Sequence, residues 1–288
     1  MIIDAHLHLW DKQHGMVNGK PVYDIGGGKS DFGGVIRQMM PPYMTDGENT
    51  VEKFVANMDY AGVSGAVITQ EYIDGNQDEY LLSCKSDRIK ICALYEEKSF
   101  GDISDFDGIK ICASRLKDRN LLNHIEPFKA ANENGKFISI DLADGNEQTK
   151  MMQEIIEQFP DLRIAIGHFG MVTCENWLEQ IKLARNKNVY IESGGITWLF
   201  NSEFYPYPSA IKAINQAAEL VGFEKLMWGS DYPRTMTAIT YKMSFDFIEK
   251  SNEISDGNKK LFLGENAEGF YGFKNLAIPE KIKNMVED

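Results

Sequence analysis

IIDAHLHL, residues 2–9, carries the reading that decides the fold. The run is apolar enough for a buried strand, yet it holds two histidines two residues apart, His6 and His8. Alternate residues of a strand share a face, so both imidazoles project to one side. Seven further short apolar runs have the same character: GAVIT (65–69), IKICAL (89–94), GIKIC (108–112), FISID (137–141), RIAIGH (163–168), VYIES (189–193) and KLMWGS (225–230). Most are separated by stretches of helical periodicity at 50–62, 77–85, 121–135, 147–159, 175–187 and 208–222, with a further helical region from about 236. Consecutively apolar strands alternating with helices predict a parallel sheet covered on its outer face. Eight such units predict an α/β chain closed as a (β/α)8 TIM barrel. A doubly wound sheet would want fewer strands and a glycine-rich phosphate turn after the first. GGGKSDFGG (26–34) is no such turn, because it stands at no strand–helix junction and lacks the spacing.

The 288 residues fit one barrel domain, and 43% hydrophobic with 25% charged residues suits a chain that buries a large core. Residues 11–48, rich in Gly and Pro, read as a long loop inserted between the first strand and its helix. Such loops often cover barrel active sites. A formal charge of −13 excludes a nucleic-acid partner, which needs a basic face. Asp4, His6 and His8 break the N-terminal apolar run, so neither a secretory leader nor a membrane span is expected there, and a cytoplasmic location follows. Cys84, Cys92, Cys112 and Cys174 lack C-x-x-C spacing and read as reduced core thiols. The expected partner is a small-molecule substrate, with a homodimer the commonest assembly for such a chain.

The chemistry gathers at strand ends. His168 ends the sixth run and Asp231 follows the eighth, so a barrel would bring them to the same mouth as His6 and His8. Taken singly, each has a plain reading: two strand histidines by coincidence, a turn aspartate before Pro233, a histidine at a helix entry. Placed together at one mouth, neutral imidazoles and a carboxylate make a site for one divalent metal, zinc being the first choice. His6, His8, His168 and Asp231 are the expected ligands. Asp231 would take a proton from the attacking water and pass it to the leaving group, while the ion or protonated His168 would stabilise the oxyanion. Around that mouth Gln70, Tyr72, Arg115, Ser193, Arg234 and Trp10 are expected to read the substrate, with Glu96 and Trp198 nearby. The two arginines would suit a substrate carboxylate.

IIDAHLHLWD, FPDLRIAIGHFG, VYIESGG, WGSDYP and GENAEGFYGF, spread from residue 2 to about 273, resemble the landmarks of the amidohydrolase superfamily and its amidohydrolase-related hydrolases. DAHLHLWD is similar to the branch of sugar-acid lactonases and 2-pyrone-4,6-dicarboxylate lactonase. The resemblance implies hydrolysis of a small lactone, ester or amide, with the four residues above in the active site. It also implies one departure: many members carry a histidine at the end of the fifth strand, where FISID offers Ser139 and Asp141. The lactonase branch lacks it too, and some of its members work without a metal, so a metal-independent site stays open. A two-metal centre bridged by carboxylated Lys110 is the less favoured form. Two other functions compete. One is metal-dependent, non-oxidative decarboxylation of an aromatic or enoic acid; the other is a ligand-binding protein with a decayed active site.

Overall fold

In the computed structural model, residues 1–97, 100–280, 282, 283 and 285 are described. The eight runs form β1 (Ile3–Leu7), β6 (Gly65–Ile68), β7 (Ile89–Leu94), β8 (Gly108–Cys112), β9 (Phe137–Asp141), β10 (Arg163–Ile166), β11 (Val189–Glu192) and β12 (Leu226–Met227). They lie side by side in that order, each parallel to the next. β12 is short, yet backbone bonds from Ala5 N to Trp228 O, Asp231 N to His6 O and His8 N to Tyr232 O stitch it to β1. The result is a (β/α)8 TIM barrel, with helices such as Val51–Ala61, Thr149–Gln158 and Pro208–Val221 packed outside. Each of these buries one stripe, for example Phe54, Met58 and Ala61 on the first.

Ile3, Ala5, Val67, Cys92, Phe137, Ala165 and Met227 pack together, and the short helix Asn266–Tyr271 closes over them with Phe270 and Tyr271. The Phe137 and Tyr271 rings stand 4.8 Å apart, edge to face. One end of the barrel is thereby filled with apolar side chains, and the chemistry is left to the other.

β1 departs from strict alternation. Its pairing with β6 slips by one residue between Asp4 and Leu7. Such a bulge re-aims the side chains beyond it: Ile3 and Ala5 join the apolar cluster, while His6 and His8 both turn to the polar mouth.

Residues 16–38 differ from the expected loop. They build a four-stranded antiparallel sheet, β2 (Met16–Val17), β3 (Lys20–Gly26), β4 (Lys29–Phe32) and β5 (Ile36–Gln38). The physical reason is turn chemistry: Asn18-Gly19 and Gly27-Gly28 all have φ between 50° and 76°. That left-handed geometry suits two-residue hairpins, whose twist matches their strands. The glycines mark hairpins rather than absence of structure.

Candidate active site

His6 and His8 leave β1 at the C-terminal mouth, His168 follows β10, and Asp231 follows β12. His6 Nε2 lies 3.1 Å from His8 Nε2, and His8 Nε2 lies 3.0 Å from Asp231 Oδ1. The His6 and His168 ring centres are 4.7 Å apart. His168 and Asp231 both hold φ near 55°, unusual for residues with a side chain and typical of functional strand ends. All four side chains therefore meet at one mouth, in two overlapping groups. His6, His8 and Asp231 form the first, and His6, Asp141 and His168 the second.

Glu192, at the end of β11, was not singled out from the sequence. Its Oε1 accepts from His6 Nδ1 at 2.6 Å and its Oε2 from Gly194 N at 2.5 Å, with the side chain fully buried. A carboxylate on Nδ1 keeps the proton there and leaves Nε2 with its lone pair turned to the centre. A carboxylate inside an otherwise apolar strand was the signal, because such a group is seldom buried without a partner. Its neighbour Ser193, expected to face the substrate, is buried instead and its Oγ accepts from Gly229 N at 3.2 Å. Gly229 is required: a Cβ there would stand 2.7 Å from His6 Cβ.

Asp231 is gripped on both oxygens, Oδ1 by His8 and Oδ2 by Trp198 Nε1 at 2.6 Å. Burial pushes its carboxyl up. The His8 hydrogen bond and the charges of Arg234, His8 and His168 outweigh that and hold it well below the usual carboxylate range. Trp198 thus serves as a hydrogen-bond donor to Asp231. His168 sends Nδ1 to Gly194 O at 2.9 Å and turns Nε2 toward Asp141 Oδ2 at 3.5 Å. Burial lowers its pKa, but the Asp141 carboxylate more than compensates and raises it to about 10. His8 moves the other way, pushed well below the usual histidine value by burial and then by Arg234.

The residues present fit one divalent ion. Two imidazole Nε2 atoms and one carboxylate oxygen converge with spacings of 3.0 and 3.1 Å. Ligands at about 2.0–2.1 Å in tetrahedral array stand roughly 3.3 Å apart. Three protein ligands with an open position is the catalytic arrangement.

The expected substrate readers divide. Gln70 is buried and spent on structure: Nε2 donates to Asp78 Oδ1 and Cys92 O, while Oε1 accepts from Gln77 N. Trp10 is fully buried, donates to Gly47 O, and lays its ring 6.0 Å from the Arg234 guanidinium. Arg234 binds Asp74 Oδ2 at 2.6 Å through Nη2, whereas its buried Nη1 has no hydrogen bond and lies 3.7 Å from Asp231 Oδ1. Arg115 pairs through Nε with Glu71 at 2.7 Å. Tyr72, which donates to Tyr95 O, lines a groove of about 830 Å³ together with Asn76, Glu96, Arg115, Lys117 and the hairpin residues 14–19.

A barrel whose mouth collects imidazoles, buried carboxylates and arginines has the makings of an enzyme's active site. The chain belongs to the amidohydrolase family, which matches residues 104–273, more than half of its length. Among solved structures it is similar to a probable 2-pyrone-4,6-dicarboxylic acid hydrolase from Acinetobacter baumannii with citric acid bound. That match has 19% identity and a TM-score of 0.67, and covers 94% of this chain and 99% of the other. An amidohydrolase from Burkholderia multivorans with bound zinc matches at 14% identity and TM-score 0.67, over 95% and 100% of the two chains. A 5-carboxyvanillate decarboxylase from Novosphingobium aromaticivorans, complexed with manganese, matches at 18% and 0.55, over 76% and 79%. At these identities the likeness speaks for the fold. No curated protein matches the chain. Among the described residues no helix is long and apolar enough to cross a membrane.

Proposed function

We propose that the protein hydrolyses a small lactone or related carboxylic ester, with water attacking at the His6–His8–Asp231 centre. The observation that carries this reading is the convergence of His6 Nε2, His8 Nε2 and Asp231 Oδ1 on one point, with His6 fixed from behind by Glu192. His6, His8 and Asp231 would hold a divalent ion, for which zinc suits the donors, and it would supply Lewis acidity to a neighbouring water and to the substrate carbonyl. Asp231, a carboxylate beside the Arg234 guanidinium, accepts the water's proton on a carboxylate oxygen and returns it to the leaving alkoxide. His168, charged beside Asp141, stabilises the developing oxyanion. The free Nη1 of Arg234 and the Arg115 guanidinium suit a carboxylate on the substrate, and Tyr72 and the groove beside it suit the rest of the molecule.

A panel of sugar-acid and pyrone lactones, assayed by acid release before and after chelation, tests this. Asp231→Asn should lower turnover by about 10²–10⁴-fold without changing the circular dichroism spectrum. Undiminished hydrolysis by that variant sinks the mechanism. The second reading, non-oxidative decarboxylation, is favoured by the fold it shares with the 5-carboxyvanillate decarboxylase. Carbon dioxide release from a carboxylated phenol, with every lactone inert, would select it. A ligand-binding protein with a decayed site is opposed by the intact His/Asp cluster, and tight ligand binding without turnover on either panel would select it. A cytoplasmic location and a homodimer complete the proposal.

A further inference from the structure

The same mouth holds a third cluster of metal-competent side chains, drawn from the ends of β6, β8 and β9. Glu71, Cys112 and Asp141 are all buried and bring one ligand atom each within 4.8 Å of one another. Asp141 belongs also to the group with His6 and His168, so the two groups adjoin. Two carboxylates and a thiol are groups that a divalent ion can use as ligands.

Its charges are already met from within. Lys110, fully buried two residues before Cys112 on β8, places Nζ 2.6 Å from Asp141 Oδ2. Residues two apart share a face, so Lys110 and Cys112 enter the lumen together. Arg115 Nε lies 2.7 Å from Glu71 Oε1. Two carboxylates thus face two side-chain cations. A divalent ion held by Asp141 and Cys112 would stand beside the Lys110 ammonium in a water-poor interior, where like charges repel strongly. Nor does Lys110 suit a carbamate bridge, because carboxylation would replace the ammonium that pairs with Asp141 Oδ2 at 2.6 Å by a negative group.

We infer that Lys110 is a resident cation standing where a second metal would bind, so that the mouth takes one divalent ion and Glu71–Cys112–Asp141 remains latent. The inference concerns ion number and leaves the substrate open; the one-ion part rests on the metal reading proposed above, and the latent site does not.

Cobalt(II) titration of the purified full chain tests it, with ion uptake and the near-ultraviolet thiolate-to-cobalt band as readouts. The wild-type chain should take up one cobalt with no thiolate band, and Cys112→Ser should leave that uptake unchanged. Lys110→Met should gain a second cobalt and the band, and Lys110→Met with Cys112→Ser should lose both. Two ions or a thiolate band in the wild type overturns the inference, as does a fall in uptake in Cys112→Ser. A carbamate signal from Lys110 after labelling with ¹³C-bicarbonate overturns it too. So does a folded Lys110→Met chain with neither second ion nor band. If Lys110→Met fails to fold, the wild-type and Cys112→Ser titrations decide alone. A wild type that takes up no cobalt counts against the metal in the proposed mechanism, and the Lys110→Met band then decides the latent site.

Discussion

Glu192 shows how one side chain sets the state of another. Its Oε1 sits 2.6 Å from His6 Nδ1, so the ring's remaining nitrogen is committed to the centre. Glu192→Ala should weaken metal binding by about 10–100-fold, read by chelator competition. Glu192→Gln should retain most of the affinity, because an amide oxygen still accepts from Nδ1–H. Equal affinity in wild type and Glu192→Ala would remove the role. His6, His8, His168 and Asp231 were legible in the sequence because their residue types are costly inside an apolar strand or at its end. Glu192 and Asp141 were harder to find. Both are carboxylates whose value depends on a partner more than 25 residues away, His6 for the first and His168 with Lys110 for the second.

At the scale of elements, the inserted sheet is tied to the active site by a line of buried polar groups. Ser30 Oγ on β4 donates to Gln13 Oε1 at 2.6 Å, Gln13 Nε2 donates to Asp74 Oδ1 at 2.9 Å, and Arg234 Nη2 donates to Asp74 Oδ2 at 2.6 Å. Arg234 in turn faces Asp231. Gln13→Leu strips both neighbours of a buried partner and should cost about 1–3 kcal/mol of stability in urea unfolding. It should also raise KM for a carboxylated lactone more than it lowers kcat, since Asp74, which braces Arg234, loses its own partner. A change in kcat alone would detach the sheet from substrate binding. The insertion's position was legible, but its glycines were read as loop signals. Asn-Gly and Gly-Gly pairs flanked by alternating residues mark hairpins, and the short strands beside them, β2 with two residues and β5 with three, gave periodicity little to work on.

For the whole molecule, the centre joins β1, β11 and the segment after β12, which meet where the barrel closes. An ion bound there stabilises the folded state only. Zinc at about 100 times its Kd should add roughly 2.7 kcal/mol, seen as a higher melting temperature that chelation reverses. His8→Ala should abolish the increment, because the ion then loses a ligand from the β1 edge of the closure. An unchanged increment in that variant would place the ion elsewhere. The barrel itself was legible at this scale, since eight apolar runs alternating with helices have few other ways to bury both faces of a sheet.

By itself the sequence determined the eight strands, their order, and the four residues that the mouth collects, because burial preference and period are local properties of a chain. Only the tertiary structure decided the bulge that turns His6 and His8 to the mouth, the Glu192 brace, the Lys110–Asp141 pair and the sheet in the insertion. Each of these depends on which distant groups become neighbours once the barrel closes. A charge inside a strand has no fixed meaning until the opposite charge beside it is known.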